Sequence, residues 1–150
     1  PEEYVIVSPD VGGVKRVRRF AEKMKTSLAI LDKRRPRDNV AEIVNVVGEV
    51  KGKKVILFDD MIDTGRSLVG AAETLLNVGA VSVQACAAHG LLSGEAVELL
   101  QNSVIERILL TNTVPHRSLT DKFKILDISH LLGEAVIRVR KNLSVSILFR

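Results

Sequence analysis

Short apolar runs alternate along the chain with segments in which apolar residues recur every three or four positions. The runs have the length of strands, and the segments between them have the period of amphipathic helices. Strands are predicted at residues 4–8, 28–32, 55–58, 81–88, 105–111 and 124–128, with a strand or hairpin edge at 40–50 and a final extended segment at 145–149. Helices are predicted at 14–25, 68–77, 94–101 and 129–141. This alternation predicts an α/β fold with a mainly parallel sheet and helices on both faces.

The composition is that of one ordinary globular domain. The 150 residues are 46% hydrophobic and 27% charged, which allows a real core and predicts a single domain over 1–150. No apolar run approaches membrane-spanning length, and no secretory signal opens the chain. The single cysteine, Cys86, excludes an intrachain disulfide. These features predict a cytoplasmic protein with no membrane partner. A chain that opens with Pro1 also looks like a piece of something longer.

Segment 55–67 contains the first candidate ligand site. Its apolar strand is followed by Asp59 and Asp60, then by a turn and by a helix that Ser67 is predicted to cap. The turn consists of Asp63, Thr64, Gly65, Arg66 and Ser67. Its N–H groups, hydroxyls, guanidinium and helix N-terminus suit a phosphate. The two carboxylates can accept hydrogen bonds from vicinal hydroxyls or approach Mg²⁺, so the segment suits a phosphorylated sugar. The alternative is an acidic pair that ends a strand and faces water.

A glycine-rich loop joins the first strand to the first helix. Gly12 and Gly13 let the backbone approach a ligand closely, and the helix that follows adds positive potential. Such a loop can hold a diphosphate, with Asp10 on a Mg²⁺ ion that bridges its oxygens. The alternative is a tight turn before an ordinary helix.

Four cations lie in a loop that is predicted at 33–39. They are Lys33, Arg34, Arg35 and Arg37. One interpretation is a solvated loop. The other is a flap that closes over a reaction and neutralises charge on a transferred phosphoryl group.

Five motifs occur in order along the chain. They are Ser-Pro-Asp-x-Gly-Gly-Val from position 8, Asp-Lys-Arg-Arg-Pro from 32, Asp-Asp-Met-Ile-Asp-Thr-Gly from 59, His-Gly-Leu-Leu-Ser-Gly from 89 and Ser-Val-Ser-x-Leu-Phe from 144. Together they resemble the C-terminal half of the ribose-phosphate diphosphokinase family, which has the Rossmann-like type I phosphoribosyltransferase fold. That family uses Mg²⁺ and transfers the diphosphoryl group of ATP to ribose 5-phosphate, giving phosphoribosyl diphosphate. Arg66 departs from the family, which usually has a small residue there.

The resemblance implies a role for each segment. The catalytic cations would be Lys33 and Arg35. The sugar phosphate would bind Asp59, Asp60, Asp63, Thr64, Gly65, Arg66 and Ser67. The diphosphate loop would be Asp10, Gly12 and Gly13, and the Mg²⁺ ligands would be Asp10, Asp59 and Asp60. Ser144 and Ser146 match a tail that forms an effector site for phosphate or ADP between subunits of a homo-oligomer. The N-terminal half, which supplies much of the ATP site, is not in this chain, so we expect the isolated chain to be inactive.

Three other functions stay open on the sequence. A stand-alone phosphoribosyltransferase would share the sugar pocket, but no segment is suited to recognising its base. A non-catalytic regulatory homologue is disfavoured by the intact acidic and basic motifs. A nucleic-acid-binding regulator has only the basic helix at 15–25 in its favour, and 3% aromatic content gives base stacking little support. We therefore expect no nucleic-acid partner.

Overall fold

The computed structural model describes residues 3–34, 43–116 and 118–149. Its strands are β1 Tyr4–Ser8, β2 Ser27–Arg34, β3 Ile43–Val47, β4 Lys54–Ile62, β5 Ser82–Gly90, β6 Ile108–Thr111 and β7 Phe123–Leu126. Within these ranges the strands form a seven-stranded sheet in the order β3-β2-β1-β4-β5-β6-β7. Neighbouring strands are parallel except for the antiparallel pair β2 and β3. The predicted α/β fold with a mainly parallel sheet is confirmed.

Four α-helices occur in the described parts of the chain. They are α1 Val14–Met24, α2 Arg66–Asn77, α3 Ala96–Gln101 and α4 Ser129–Arg140, and a 3₁₀ turn follows at Ser146–Phe149. The prediction of an extended segment at 145–149 is wrong. The Leu148 N–H donates to the Val145 carbonyl oxygen at 3.0 Å, which curls the segment instead of extending it along a sheet edge. None of the described helices combines the length and the apolarity needed to cross a bilayer.

The two faces of the sheet pack against different helices, because successive strand residues point to opposite sides. On one face, Val5 and Leu57 are fully buried in a cluster that includes residues of α2 and α3. On the other face, Ile6 is buried against α1. The rings of Phe20 on α1 and Phe58 on β4 stack with centroids 4.4 Å apart. Helices therefore cover both faces, as the near-continuous apolar runs of β1 and β4 predict.

Strands β2 and β4 run further at their carboxyl ends than the sequence predicts, and both extensions include predicted site residues. Strand β4 stays paired with β5 as far as Ile62, so Asp59 and Asp60 lie inside the strand and do not follow it. The ladder continues because it joins backbone groups and does not depend on side-chain polarity. Strand β2 continues through Lys33, paired antiparallel with β3, where the sequence predicts a loop.

Candidate functional site

Loops from two adjacent strands meet at the carboxyl edge of the sheet. Strands β1 and β4 are neighbours, but β2 and β5, the next strand after each, lie on opposite flanks. Such a switch in strand order leaves a crevice in which open α/β sheets bind ligands. A cavity of about 250 Å³ lies at this point. Its lining is Asp10 from the loop after β1, and Asp59, Met61, Ile62, Asp63, Thr64, Gly65, Ser67 and Leu68 from the end of β4 and the start of α2.

The turn after β4 exposes the N-terminus of α2. Gly65 is the N-cap residue, with φ of 76°, and no side chain caps the helix. The prediction that Ser67 is the cap is wrong, because the helix already begins at Arg66 and Ser67 lies in its first turn. An uncapped first turn leaves its N–H groups to a ligand, and the helix dipole favours an anion there. The turn therefore has the chemistry of a phosphate site.

Replacing Gly65 should destabilise the protein. Gly65→Ala puts a Cβ in the left-handed region and 3.0 Å from the Leu100 Cγ, so we expect a loss of about 1–3 kcal/mol in the free energy of unfolding. Gly70→Ala is the matched control. No atom lies within 4 Å of the added Cβ there, and alanine should stabilise the helix by about 0.5–1 kcal/mol. Denaturant unfolding of both variants measures the difference, and equal shifts would contradict the account of the turn.

The two adjacent carboxylates face in different directions. Strand alternation puts Asp59 on the side of the cavity and Asp60 on the side of α1. The Asp60 Oδ2 lies 2.6 Å from Nη1 of Arg16. The backbone N–H of Asp60 donates to Oδ1 of Asp59 at 2.8 Å. The acidic pair is therefore not simply a water-facing strand end, because one member lines a cavity and the other forms an ion pair with a residue of α1.

The two carboxyl groups also differ in pKa. Burial, together with the nearby carboxyls of Asp60 and Asp10, raises the pKa of Asp59 to about 6, although the hydrogen bond from the Asp60 backbone N–H acts to lower it. Burial also acts to raise the pKa of Asp60, but its hydrogen bonds with Asp59 and Arg16 and the charge of Arg16 bring it below its ordinary value. Asp60 is thus the more acidic member. A cation bound in the cavity would favour the ionised form of Asp59.

The loop after β1 is fixed by its own side chains. The Gly13 N–H donates to Oδ1 of Asp10 at 2.8 Å, and the Ser8 hydroxyl donates to the Asp10 carbonyl oxygen at 2.7 Å. A Cβ on Gly13 would lie 2.8 Å from Oγ of Ser8, a distance that real Cβ atoms essentially never show. A larger residue at this position would therefore have to displace the Ser8 hydroxyl, and the loop places Asp10 at the cavity.

The donor set at the cavity fits a hydrated Mg²⁺ ion. Asp10 and Asp59 both line the cavity, and each carboxylate has one oxygen held by a backbone N–H at 2.8 Å. Across the described ranges, no group of three metal-ligating side chains occurs. Mg²⁺ usually takes one or two carboxylates and completes its shell with waters and substrate phosphates. Two carboxylates are enough for that mode of binding, while Asp60 contacts Arg16.

Other predicted site residues lie outside this cavity. The Arg66 side chain lines a neighbouring groove between α2 and residues 93–99. The hydroxyls of Ser144 and Ser146 lie 2.8 Å apart near the C-terminal 3₁₀ turn, and Nη1 of Arg138 donates to the Ser144 carbonyl oxygen at 3.1 Å. The backbone of Lys33 is in β2, and Arg35 lies outside the described residues.

Sequence reasoning missed Arg16 as a site residue. The basic residues of α1 read as a solvated face, and most of the helix is exposed. The signal was present in the spacing: Arg16 and Phe20 are four apart on one helix face, and Phe58 and Asp60 are two apart on one strand face. Those two pairs are contacts between α1 and β4 on this side of the sheet.

Comparisons with known proteins agree with the fold and the motifs. Residues 35–150 match the family model of the phosphoribosyl synthetase-associated domain. The ribose-phosphate pyrophosphokinase of Thermotoga maritima is 57% identical over 150 residues, which are 100% of this chain and 48% of that protein. The crystal structure of phosphoribosylpyrophosphate synthetase from Mycobacterium smegmatis has a TM-score of 0.85 and 36% identity, covering 94% of this chain and 46% of that one. APRTase from Giardia lamblia shares the fold, with a TM-score of 0.59 and 15% identity over 73% of this chain and 68% of its own.

The chain spans about half the length of the curated relatives that it matches. The resemblance carried by the five motifs is confirmed by the family model, which covers more than half of the chain, and by the identity to these relatives. The chain therefore belongs to the phosphoribosyl synthetase-associated domain family and matches one half of the ribose-phosphate pyrophosphokinases.

Proposed function

We propose that this chain is the ribose 5-phosphate-binding half of an enzyme that transfers diphosphate from ATP to the 1-hydroxyl of the sugar. The observation that carries the proposal is the cavity at the β1/β4 switch point. The cavity is lined at one end by the Asp59 carboxylate, which can accept hydrogen bonds from sugar hydroxyls. At the other end lies the uncapped N-terminus of α2, which suits a phosphate. Its volume of about 250 Å³ suits one small sugar phosphate.

Each end of the sugar has a matching group. The 5-phosphate would lie on the turn at 63–67, where Thr64 and Ser67 add hydroxyl donors to the N–H groups of α2. The ribose hydroxyls would donate to Asp59. The diphosphate at C1 of the product would then lie toward the loop that carries Asp10, Gly12 and Gly13, which lies beside the same cavity. One ligand would thus span both loops.

Mg²⁺ would be held by Asp10 and Asp59 together with ligand oxygens. The ion supplies charge neutralisation for the diphosphate. The chain's own part is to fix both carboxylates by the N–H donors of Gly13 and Asp60, so that neither must reorganise when the ligand arrives.

The remaining parts of the reaction belong to a larger protein. The cations Lys33 and Arg35 would act on the transferred group. ATP would be held mainly by the half that the relatives carry in addition to the matched region, and the enzyme would work as a homo-oligomer in the cytoplasm. Ser144 and Ser146 would form part of an effector site for phosphate or ADP.

Calorimetric titration of the chain with ribose 5-phosphate in Mg²⁺ tests this proposal. We expect binding that ribose without the phosphate does not show. Thr64→Ala should weaken it by roughly 1–3 kcal/mol, the cost of losing a hydrogen bond to a charged group. Thr74→Ala is the matched control, because Thr74 lies on α2 away from the cavity lining and its hydroxyl donates to the Gly70 carbonyl oxygen. The proposal would be contradicted if the parent chain did not bind ribose 5-phosphate, or if the parent and Thr64→Ala bound it equally.

A further inference from the structure

Helix α1 is fastened to strand β4 at two successive points. The Phe20 ring stacks on Phe58, and one helical turn earlier the Arg16 guanidinium contacts Asp60 at 2.6 Å. The ring stack belongs to the core beneath α1. The ion pair lies at the edge of the sheet, where the candidate cavity begins. The two contacts differ in their surroundings, because only the ion pair involves a residue of the acidic pair.

Arg16 links the two loops that form the cavity. Its backbone N–H donates to the Gly13 carbonyl oxygen at 3.0 Å, so it stands in the first turn of α1, directly after the glycine-rich loop. Its guanidinium reaches Asp60, whose backbone N–H holds the Asp59 carboxylate at 2.8 Å. A continuous chain of contacts therefore runs from the loop after β1, through Arg16 and Asp60, to the carboxylate in the cavity.

The ion pair has little value for folding. The side chains of Arg16 and Asp60 are 44% and 54% exposed, and pairs this open add little to the free energy of unfolding. Other cations flank Arg16 on the same surface: Lys15, Arg19 and Lys23 line a groove beside Gly12. Of these four cations, Arg16 is the one paired with the acidic motif. Its forked guanidinium can bond to a carboxylate and still offer donors to a second anion, which an ammonium on one acceptor does less well.

We propose that Arg16 is a positioning residue that holds the glycine-rich loop against the acidic pair, so that the two ends of phosphoribosyl diphosphate are bound together. The inference rests on the proposed function and deepens it. A ligand that contacts both loops gains from their fixed spacing, because the loop is already in place when the sugar binds. A ligand that contacts only the sugar end gains much less. Arg16 therefore affects the choice between two ligands that share the same sugar phosphate.

The test compares two ligands and three variants of the chain in Mg²⁺. Arg16→Gln should lower the affinity for phosphoribosyl diphosphate by about tenfold and the affinity for ribose 5-phosphate less than about threefold. Arg16→Lys keeps the positive charge but lacks the forked guanidinium, so its affinity for phosphoribosyl diphosphate should lie between those of the parent and Arg16→Gln. Arg18→Gln, an exposed arginine two residues along the same helix, should leave both affinities unchanged.

A double-variant cycle with Asp60→Asn separates positioning from a general charge effect. If Arg16 acts through Asp60, adding Arg16→Gln to Asp60→Asn should lower phosphoribosyl diphosphate affinity by less than about threefold more. Additive losses, an equal loss in Arg18→Gln, or unchanged affinity in Arg16→Gln would overturn the inference while the proposed function stands. If the parent chain binds neither ligand, the proposed function fails and this inference fails with it. Unfolding of Arg16→Gln and Arg18→Gln in parallel checks that stability does not explain the difference.

Discussion

Lys33→Ala and Arg35→Ala, introduced into a full-length pyrophosphokinase that carries this half, should each lower kcat by roughly 10²–10³-fold with little change in KM. Cations that contact charge developing on a transferred group stabilise the transition state more than they stabilise the bound substrates. Removing such a cation therefore lowers kcat selectively. Lys33 lies near the end of β2, where its backbone pairs antiparallel with β3. Steady-state kinetics with ATP and ribose 5-phosphate measures both constants.

Lys124→Ala is the control for loss of a positive charge. Lys124 is exposed on β7, at the opposite edge of the sheet from β3, so its removal should leave both constants unchanged. A rise in KM with unchanged kcat in Lys33→Ala and Arg35→Ala would instead assign the two cations to ground-state binding.

The second large effect concerns the chain by itself, which we expect to release no AMP from ATP and ribose 5-phosphate. Diphosphoryl transfer needs ATP held in line with the sugar 1-hydroxyl. The chain spans about half the length of the relatives that it matches, and we propose that ATP is held mainly by the half that they carry in addition.

Adding the other half of a relative as a separate protein should restore part of the activity if the two halves associate. AMP release is measured in a coupled assay with and without the added half. Steady AMP formation by the 150-residue chain alone, abolished by Arg35→Ala, would show that this half already contains a working active site.

The fold could be predicted well because the apolar pattern indicates the same type of element as the structure in nearly every segment. Strand β1 lies at the predicted residues 4–8, and α1 and α2 differ from the prediction by one or two residues at their ends. The sequence also predicts that the loops after β1 and β4 carry the site, since Asp-x-Gly-Gly and Asp-Thr-Gly are recognisable as local backbone features. Their meeting follows from strand order, which places β1 beside β4.

The parts that could not be predicted depend on contacts between distant segments. Asp59 and Asp60 read as residues beyond a strand, whereas the pairing of Asp59, Met61 and Ile62 with β5 keeps both carboxylates in the strand and on opposite faces. The contact of Arg16 with Asp60 depends on how α1 packs against the sheet. The many charged residues of α1 make the helix read as a solvated surface, so the sequence does not single out Arg16. The tail predicted as extended at 145–149 contains a 3₁₀ turn at Ser146–Phe149, because the apolar pattern cannot show whether a partner strand is present.

Titration of the isotopically labelled chain with ribose 5-phosphate, followed by NMR of the backbone amides, tests the location of the sugar site most directly. In the presence of Mg²⁺, the amides of residues 63–68 and of Asp59 and Asp60 should shift in a saturable way, because they surround the cavity at the end of β4. The chemical shifts of the amides of α4, the helix that follows β7 in the sequence, should not change. Shifts confined to residues outside the loops after β1 and β4, or no saturable shift at all, would contradict a sugar phosphate site at this position.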